Sequence, residues 1–473
     1  MSKQETNYNQ EAEFDVLPVM KKDREYGFRD YSFVITGFAV ATWCFLIGGT
    51  LAFFVDFKMA IVASISGNLI AIILLSMSTS LPSVKYGVDG FTSSISYLGL
   101  NGTKSYLVLN AIVTVGWTIV LCTLVSKSAI QILNTVTGGD FSGNVYVVTF
   151  GLITAFVCWY VTLKGPHLIK IMNTIVVPVF LVVIVILIFI ISKNTGWGEI
   201  FKMAPLDPFD DPWLNFLIAF ELSLGAGFSW WPNIGGLARI CKTSRAAFWP
   251  NIIGLVFAAT VGTGLGVAAA LLVGDSDPAS WMIPICGSTI GIIALILVSI
   301  ANISANSIMI YTTSLGLKQI KALFRQRWFI VTCAYMIPTI IGLFWSQLIY
   351  DKFYFILGLA CLIYCPISMM AVVDFFLLRN QKWDMRQFYN KTSGSKFYFW
   401  KGFNLVALFV FISATPVYYF FLDPVTLETT SAFRYATATG SVAIYCAIVY
   451  YILSKIICFK MNKGGYGDLK ESA

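Results

Sequence analysis

The chain has 473 residues, 57% of them hydrophobic and 12% charged, with a formal net charge of +8 and a mean hydropathy of +0.76. Charged residues at about half their usual share exclude a soluble globular protein. A single histidine, ten cysteines without a CxxC pair, and no P-loop, GxSxG or HExxH pattern exclude a histidine-based active site and argue against an enzyme or a nucleotide-driven pump.

The first 29 residues are polar and hold no apolar signal-peptide core, so no cleavable leader is expected. Apolar stretches follow near 31–55, 59–81, 105–130, 145–163, 168–192, 213–238, 248–273, 284–314, 329–349, 353–378, 402–422 and 432–458. Each approaches the ~20 residues that a bilayer-crossing helix needs. Residues from Lys460 onward are polar again, and both ends read as loosely held. Lys85, Lys104, Lys164, Arg239, Lys242, Arg245, Lys318, Arg379 and Lys382 fall in loops on the side of the N-terminus, whereas the opposite loops carry Asp207, Asp210, Asp211, Asp275 and Asp277. This bias places both termini in the cytoplasm of a multi-pass cell (plasma or inner) membrane protein. It assigns the net charge to topology and anionic lipid, not to nucleic acid.

Span one carries Gly37 and ends in Gly48-Gly49; span six carries Gly225 and Gly227 and ends in Pro232 and Gly235-Gly236. In both, the first glycine and the last pair stand about three helical turns apart. Glycine and proline weaken helical hydrogen bonding, and matching interruptions in two halves of a membrane chain point to a binding site at mid-depth. In span three, Trp117 follows Gly116 away from either interface, and reads as a packing residue or as a flat platform for a planar ring. Span six continues Gly227-Phe228-Ser229-Trp230-Trp231-Pro232, a linker suited to touching a ligand or a plain proline kink. Glu221 is an acid inside that span, either a structural partner or a proton-coupling group. In span eight, Ala301, Ser304 and Ala305 share one helix face, where a carbonyl and a hydroxyl suit a hard cation. Asn306 adds an amide that both donates and accepts; interhelical bonding is the rival role for these polar groups. Lys127 and Asp374 lie near span ends, where snorkelling or loop anchoring accounts for them.

Phe33 to Gly37 and Gly48-Gly49-Thr50-Leu51, Gly67-Asn68, Tyr86-Gly87, Val115-Gly116-Trp117, Ser229-Trp230-Trp231-Pro232 through Arg239, and Val373 to Arg379 form an ordered set over nearly the whole membrane region. The set resembles nucleobase–cation symporter family 1, most of all its cytosine permease branch. The resemblance implies an all-α integral membrane protein with twelve transmembrane helices and a LeuT-like 5+5 inverted repeat. Its repeats span 30–192 and 193–380, helices 1 and 6 are discontinuous, two peripheral helices fall in 381–458, and cytoplasmic tails cover 1–29 and 459–473. It also implies a monomeric secondary active transporter, without a cofactor, that imports a nucleobase such as cytosine or a purine by alternating access.

By the same likeness Trp117 stacks on the ring, Phe228 or Trp230 covers its other face, Ser229 and Asn306 bond its polar edge, and Gly227 and Thr114 line the site. A coupling Na+ would take carbonyls of Gly37, Val40 or Ala41 and of Ala301, with the Ser304 hydroxyl. Three departures leave cargo and ion open. Thr114 and Leu121 stand where relatives carry a glutamine beside the tryptophan, Ala305 where they carry a second cation-binding hydroxyl, and Gly236 where they carry an acid. H+ coupling through Glu221 is therefore a rival to Na+. Allantoin, a hydantoin, pyridoxine or a thiamine precursor are alternative cargoes, and a channel or a non-transporting membrane receptor is the alternative from another class.

Overall fold

A chain this apolar can satisfy its backbone inside lipid only through helices or a closed barrel. The computed structural model describes residues 17–39, 41–324, 326–390 and 392–466; among the described residues there is no β-strand, only isolated bridges such as Tyr26 with Cys241. The longer helices are α1 (Phe28–Ala39), α2 (Thr42–Leu51), α3 (Phe57–Tyr86), α4 (Gly90–Leu98), α5 (Leu100–Thr137), α6 (Asn144–Lys164), α7 (Pro166–Asn194), α8 (Pro212–Phe228), α9 (Trp231–Ala238), α10 (Ser244–Val273), α11 (Pro278–Leu317), α12 (Trp328–Asp351), α13 (Phe353–Leu378), α14 (Leu405–Phe421) and α15 (Ala438–Cys458). Eight are long and apolar enough to cross a membrane. The bent pair α1–α2 and three shorter apolar stretches, Pro178–Asn194 of α7, α8 and α14, fall on the remaining predicted spans. α11 overruns its predicted start because Asp277 caps Ala279 N at 2.9 Å, and Gly287 turns the chain with a φ of 76° between two helical pieces.

Span one breaks, but not at its glycines. α1 and α2 differ in direction by 57°, and Ala41 between them is extended, with φ −141° and ψ 177°. Span six is interrupted less. Ser229 and Trp230 keep right-handed helical dihedrals between α8 and α9, and Trp230 N donates to Gly227 O at 3.3 Å. Gly37, Gly48, Gly49, Gly225, Gly227, Gly235 and Gly236 all lie within helices. A Cβ at Gly48 would lie 2.0 Å from Thr263 O of α10, one at Gly225 2.6 Å from Leu357 O of α13, and one at Gly227 2.5 Å from Ala71 Cβ of α3. Gly48 and Gly225 therefore mark spans that pack backbone against backbone, as small residues permit in lipid, whereas Gly236 has nothing within 4 Å. The breaks are set elsewhere.

Buried apolar side chains form two clusters. The smaller joins Ile119 and Cys122 of α5, Cys158 of α6, Ile310 of α11, and Val331 and Tyr335 of α12. Spans three, four, eight and nine thus share a core of their own. The larger cluster takes in both halves of span one with α3, α8, α10 and α13, and α14 and α15 pack on each other and on α13.

The described parts of the predicted tails are held more firmly than their polar composition suggests. Tyr26 N donates to Ile240 O at 3.0 Å and Lys242 N to Tyr26 O at 2.9 Å. Tyr466 is fully buried, with its hydroxyl on Asp374 and its ring 4.1 Å from the Arg379 guanidinium. Arg379 donates to Asp374 Oδ2 at 2.8 Å, to Gly464 O at 2.9 Å and to Ser96 O of α4 at 2.8 Å. A guanidinium removed from water needs acceptors on every side, and the tail supplies one of them. Asp374 is therefore half of a buried ion pair, a firmer role than snorkelling. Residues 1–16 and 467–473 of the predicted tails lie outside the described residues.

Candidate functional site

The last carbonyls of a helix have no partner within it, and α1 runs out at Ala39, beside the bend. Ala39 O accepts from Cys44 Sγ at 3.1 Å, and Ala41 O from Cys44 N at 3.0 Å. Gly37 thus belongs to the break through its position in the last turn of α1, not as the residue that opens it. Such a carbonyl cluster, at the negative end of a helix dipole, favours a hard cation. Val40, another predicted cation ligand, lies outside the described residues. Across the gap, Thr42 Oγ1 donates to Val298 O of α11 at 3.5 Å, about one turn before Ala301. Ala301, Ser304 and Ala305 are all buried.

Aromatic rings tie span six to this break. Trp230 meets Phe38 edge-on at 4.9 Å and Trp43 edge-on at 5.1 Å, one ring from each side of the bend. Trp43 escaped the sequence reading; an aromatic just past a break is the signal that would have found it. Trp117 lies buried on α5, edge-on to Phe353 at 5.4 Å, and its indole N–H has no partner. Phe228 is fully buried and Gly227 abuts α3. The two predicted hydroxyls turn back onto their own helices: Ser229 Oγ donates to Ala226 O at 2.6 Å and Thr114 Oγ1 to Asn110 O at 3.0 Å. Short hydroxyl side chains commonly bond this way within a helix.

Asn306 faces α5. Its Nδ2 reaches Thr118 O and Cys122 Sγ, each at 3.4 Å, while Oδ1 has no partner. One turn earlier stands Asn302, 1% exposed, with neither amide atom partnered among the described residues. Sequence reading passed over it because an unmet hydrogen bond is visible only in three dimensions. Further along α11, Thr312 Oγ1 donates to Asn233 Oδ1 of α9 at 2.8 Å, a contact between spans eight and six.

Glu221 stands with a different set of neighbours. It is 2% exposed; Oε1 accepts from Thr439 N at 2.9 Å and from Thr439 Oγ1, and Oε2 is unpartnered. Beside it is a small cavity lined by Tyr354, Gly358, Tyr418, Leu422 and Pro424. These groups come from α13, α14, the loop that follows α14, and α15, not from the α1–α2 break. On the side of the basic loops, Gln319 Nε2 reaches Asp89 Oδ2 at 3.4 Å. There, burial and then the Asp89 carboxylate push the Tyr389 phenol above its ordinary range.

A broken first span, a four-span unit with a core cluster of its own and a set of buried polar and aromatic groups are the features of a helical membrane transporter of the LeuT-like type. Family comparison agrees: the family described as permeases for cytosine/purines, uracil, thiamine and allantoin matches residues 18–449. The chain belongs to that family, the nucleobase–cation symporters, and is a transporter and not an enzyme. It is similar to the hydantoin permease of Microbacterium maritypicum, 22% identical over 424 residues that cover 85% of this chain and 82% of the permease. Among solved structures, inward-facing Mhp1 aligns with a TM-score of 0.80 at 19% identity, over 94% of this chain and 93% of Mhp1. Closed Mhp1 with bromovinylhydantoin bound aligns at 0.75 and 18%, over 94% and 96%. A Na+-coupled sialic acid symporter aligns at 0.58 and 14%, over 90% of each chain. At such identities these structures share the fold.

Proposed function

We propose that this protein imports a small planar nitrogen heterocycle, a nucleobase such as cytosine or a purine or else a hydantoin, coupled to inward movement of Na+. The observation that carries the reading is the bend at Ala41, where α1 ends, Trp230 packs on both sides, and Thr42 reaches α11. Cation and ring bound near one break favour the same conformation, so each raises the affinity of the other. Trp117 offers its face to the ring. Carbonyls of Gly37, Ala41 and Ala301 and the Ser304 hydroxyl hold the ion. The four-span unit of α5, α6, α11 and α12 serves as the scaffold against which the rest rocks. In this reading 30–192 and 193–380 are the inverted repeats, 381–458 is a peripheral addition, and the monomer sits in the cell membrane with both termini in the cytoplasm.

A hydantoin stands beside cytosine and purines because a hydantoin permease is among the relatives. All three are flat, uncharged rings with polar edges. Proton coupling at Glu221 has the support of its unpartnered oxygen, but its hydrogen-bond partner Thr439 and its neighbour Tyr418 belong to the peripheral spans. A stability screen of the purified protein separates the cargoes. Cytosine, adenine, uracil, hydantoin, allantoin and pyridoxine are each added in NaCl or in choline chloride. One ring at a hundred times its dissociation constant stabilises the folded state by about 2.7 kcal/mol. The shift is expected to be larger in sodium; no shift from any ring in either salt counts against the proposal.

A further inference from the structure

We infer that Asn302 reads the polar edge of the transported ring, an inference that rests on the heterocycle reading above. Val298, Asn302 and Asn306 recur every four residues on α11 and so lie along one face. At one end of this row the Val298 carbonyl takes the Thr42 hydroxyl of α2 at 3.5 Å. At the other, the Asn306 amide reaches Thr118 O and Cys122 Sγ of α5 at 3.4 Å. Asn302 stands between them on the row.

Its amide is 1% exposed, and both Oδ1 and Nδ2 lack a partner among the described residues. Burying an amide with no hydrogen bond is costly, and the cost is removed when something arrives that both accepts and donates. Two further unpartnered groups belong to the same facing helices, the Trp117 indole N–H of α5 and Asn306 Oδ1 of α11. An amide presents one acceptor beside two donors. That matches a ring edge on which an N–H adjoins a carbonyl or an imine nitrogen, as in cyclic ureides, lactams and aminopyrimidines. Ser229 and Thr114, whose hydroxyls are bonded to their own helices, do not offer this pattern.

The test compares equilibrium binding of cytosine, adenine and hydantoin with that of their ring-N-methylated analogues, in wild type, Asn302→Ala and Asn302→Asp. Wild type is expected to prefer one parent ring over its methylated form. Asn302→Ala is expected to weaken the parent by about ten- to a hundredfold and to leave the methylated analogue nearly unchanged, so that discrimination collapses. Should the alanine variant fail to fold, the near-isosteric Asn302→Asp, which lacks the N–H donors, is read by the same ratio. Undiminished discrimination in a folded variant overturns the inference and makes the amide a holder of structural water. Failure of wild type to bind any of the rings instead overturns the proposed function, and this inference with it.

Discussion

Replacing Trp117 by alanine is expected to lower heterocycle uptake, at substrate concentrations below half-saturation, by roughly ten- to a hundredfold. The size follows from an aromatic platform contributing about 1–3 kcal/mol per stacked ring. The indole also packs edge-on against Phe353 at 5.4 Å, so alanine leaves a cavity and costs stability as well. Two readouts separate the roles. Trp117→Phe keeps a flat face and is expected to restore most of the uptake. If Trp117→Ala melts earlier yet binds its substrate with wild-type affinity, the residue is a packing group and the stacking role is withdrawn.

The second large effect lies far from the break. Arg379 and Asp374 are paired at 2.8 Å, with side chains 3% and 0% exposed. Removing one partner of such a pair strands the other charge in a dry site, at a cost of about 3–5 kcal/mol. Arg379→Ala is therefore expected to lower thermal stability sharply and to free the Gly464–Tyr466 segment, which is held through Gly464 O and the Tyr466 ring. Asp374→Leu combined with Arg379→Met is expected to cost much less, because no charge is left unpaired. Protease sensitivity of the C-terminal segment, read beside the unfolding midpoint, checks both. An Arg379→Ala protein as stable as wild type would mean that water reaches the site.

Hydropathy made the spans legible, because a helix crossing lipid must be apolar along its length. It also made Trp117, Asn306 and Ser304 visible as unusual residues inside spans. The place of the break was legible only through the family likeness, which put Ala41 among the carbonyl ligands: Ala39, Ala41 and Thr42 carry no signal of their own. Long-range partners accompany the bend, with Thr42 on Val298 O and Trp230 between Phe38 and Trp43. The glycines that suggested the break answer a different need, the close approach of α2 to α10 and of α8 to α3 and α13. Docking of the tail escaped for a similar reason, since Tyr466 meets Asp374 only once the chain has folded. Asn302 and Asn306 look alike on paper. Only the packing distinguishes an amide bonded to α5 from one bonded to nothing.

Uptake into proteoliposomes, with sodium and pH gradients imposed separately, bears most directly on the claim that cargo and ion share the bend at Ala41. An inward sodium gradient is expected to concentrate cytosine, adenine or hydantoin above its outside level, and Ser304→Ala to weaken that dependence on sodium. Accumulation driven by pH alone, untouched at Ser304 and abolished by Glu221→Gln, would move the coupling site to Glu221, where span six meets the peripheral spans. Equilibration without accumulation under either gradient would contradict the account altogether.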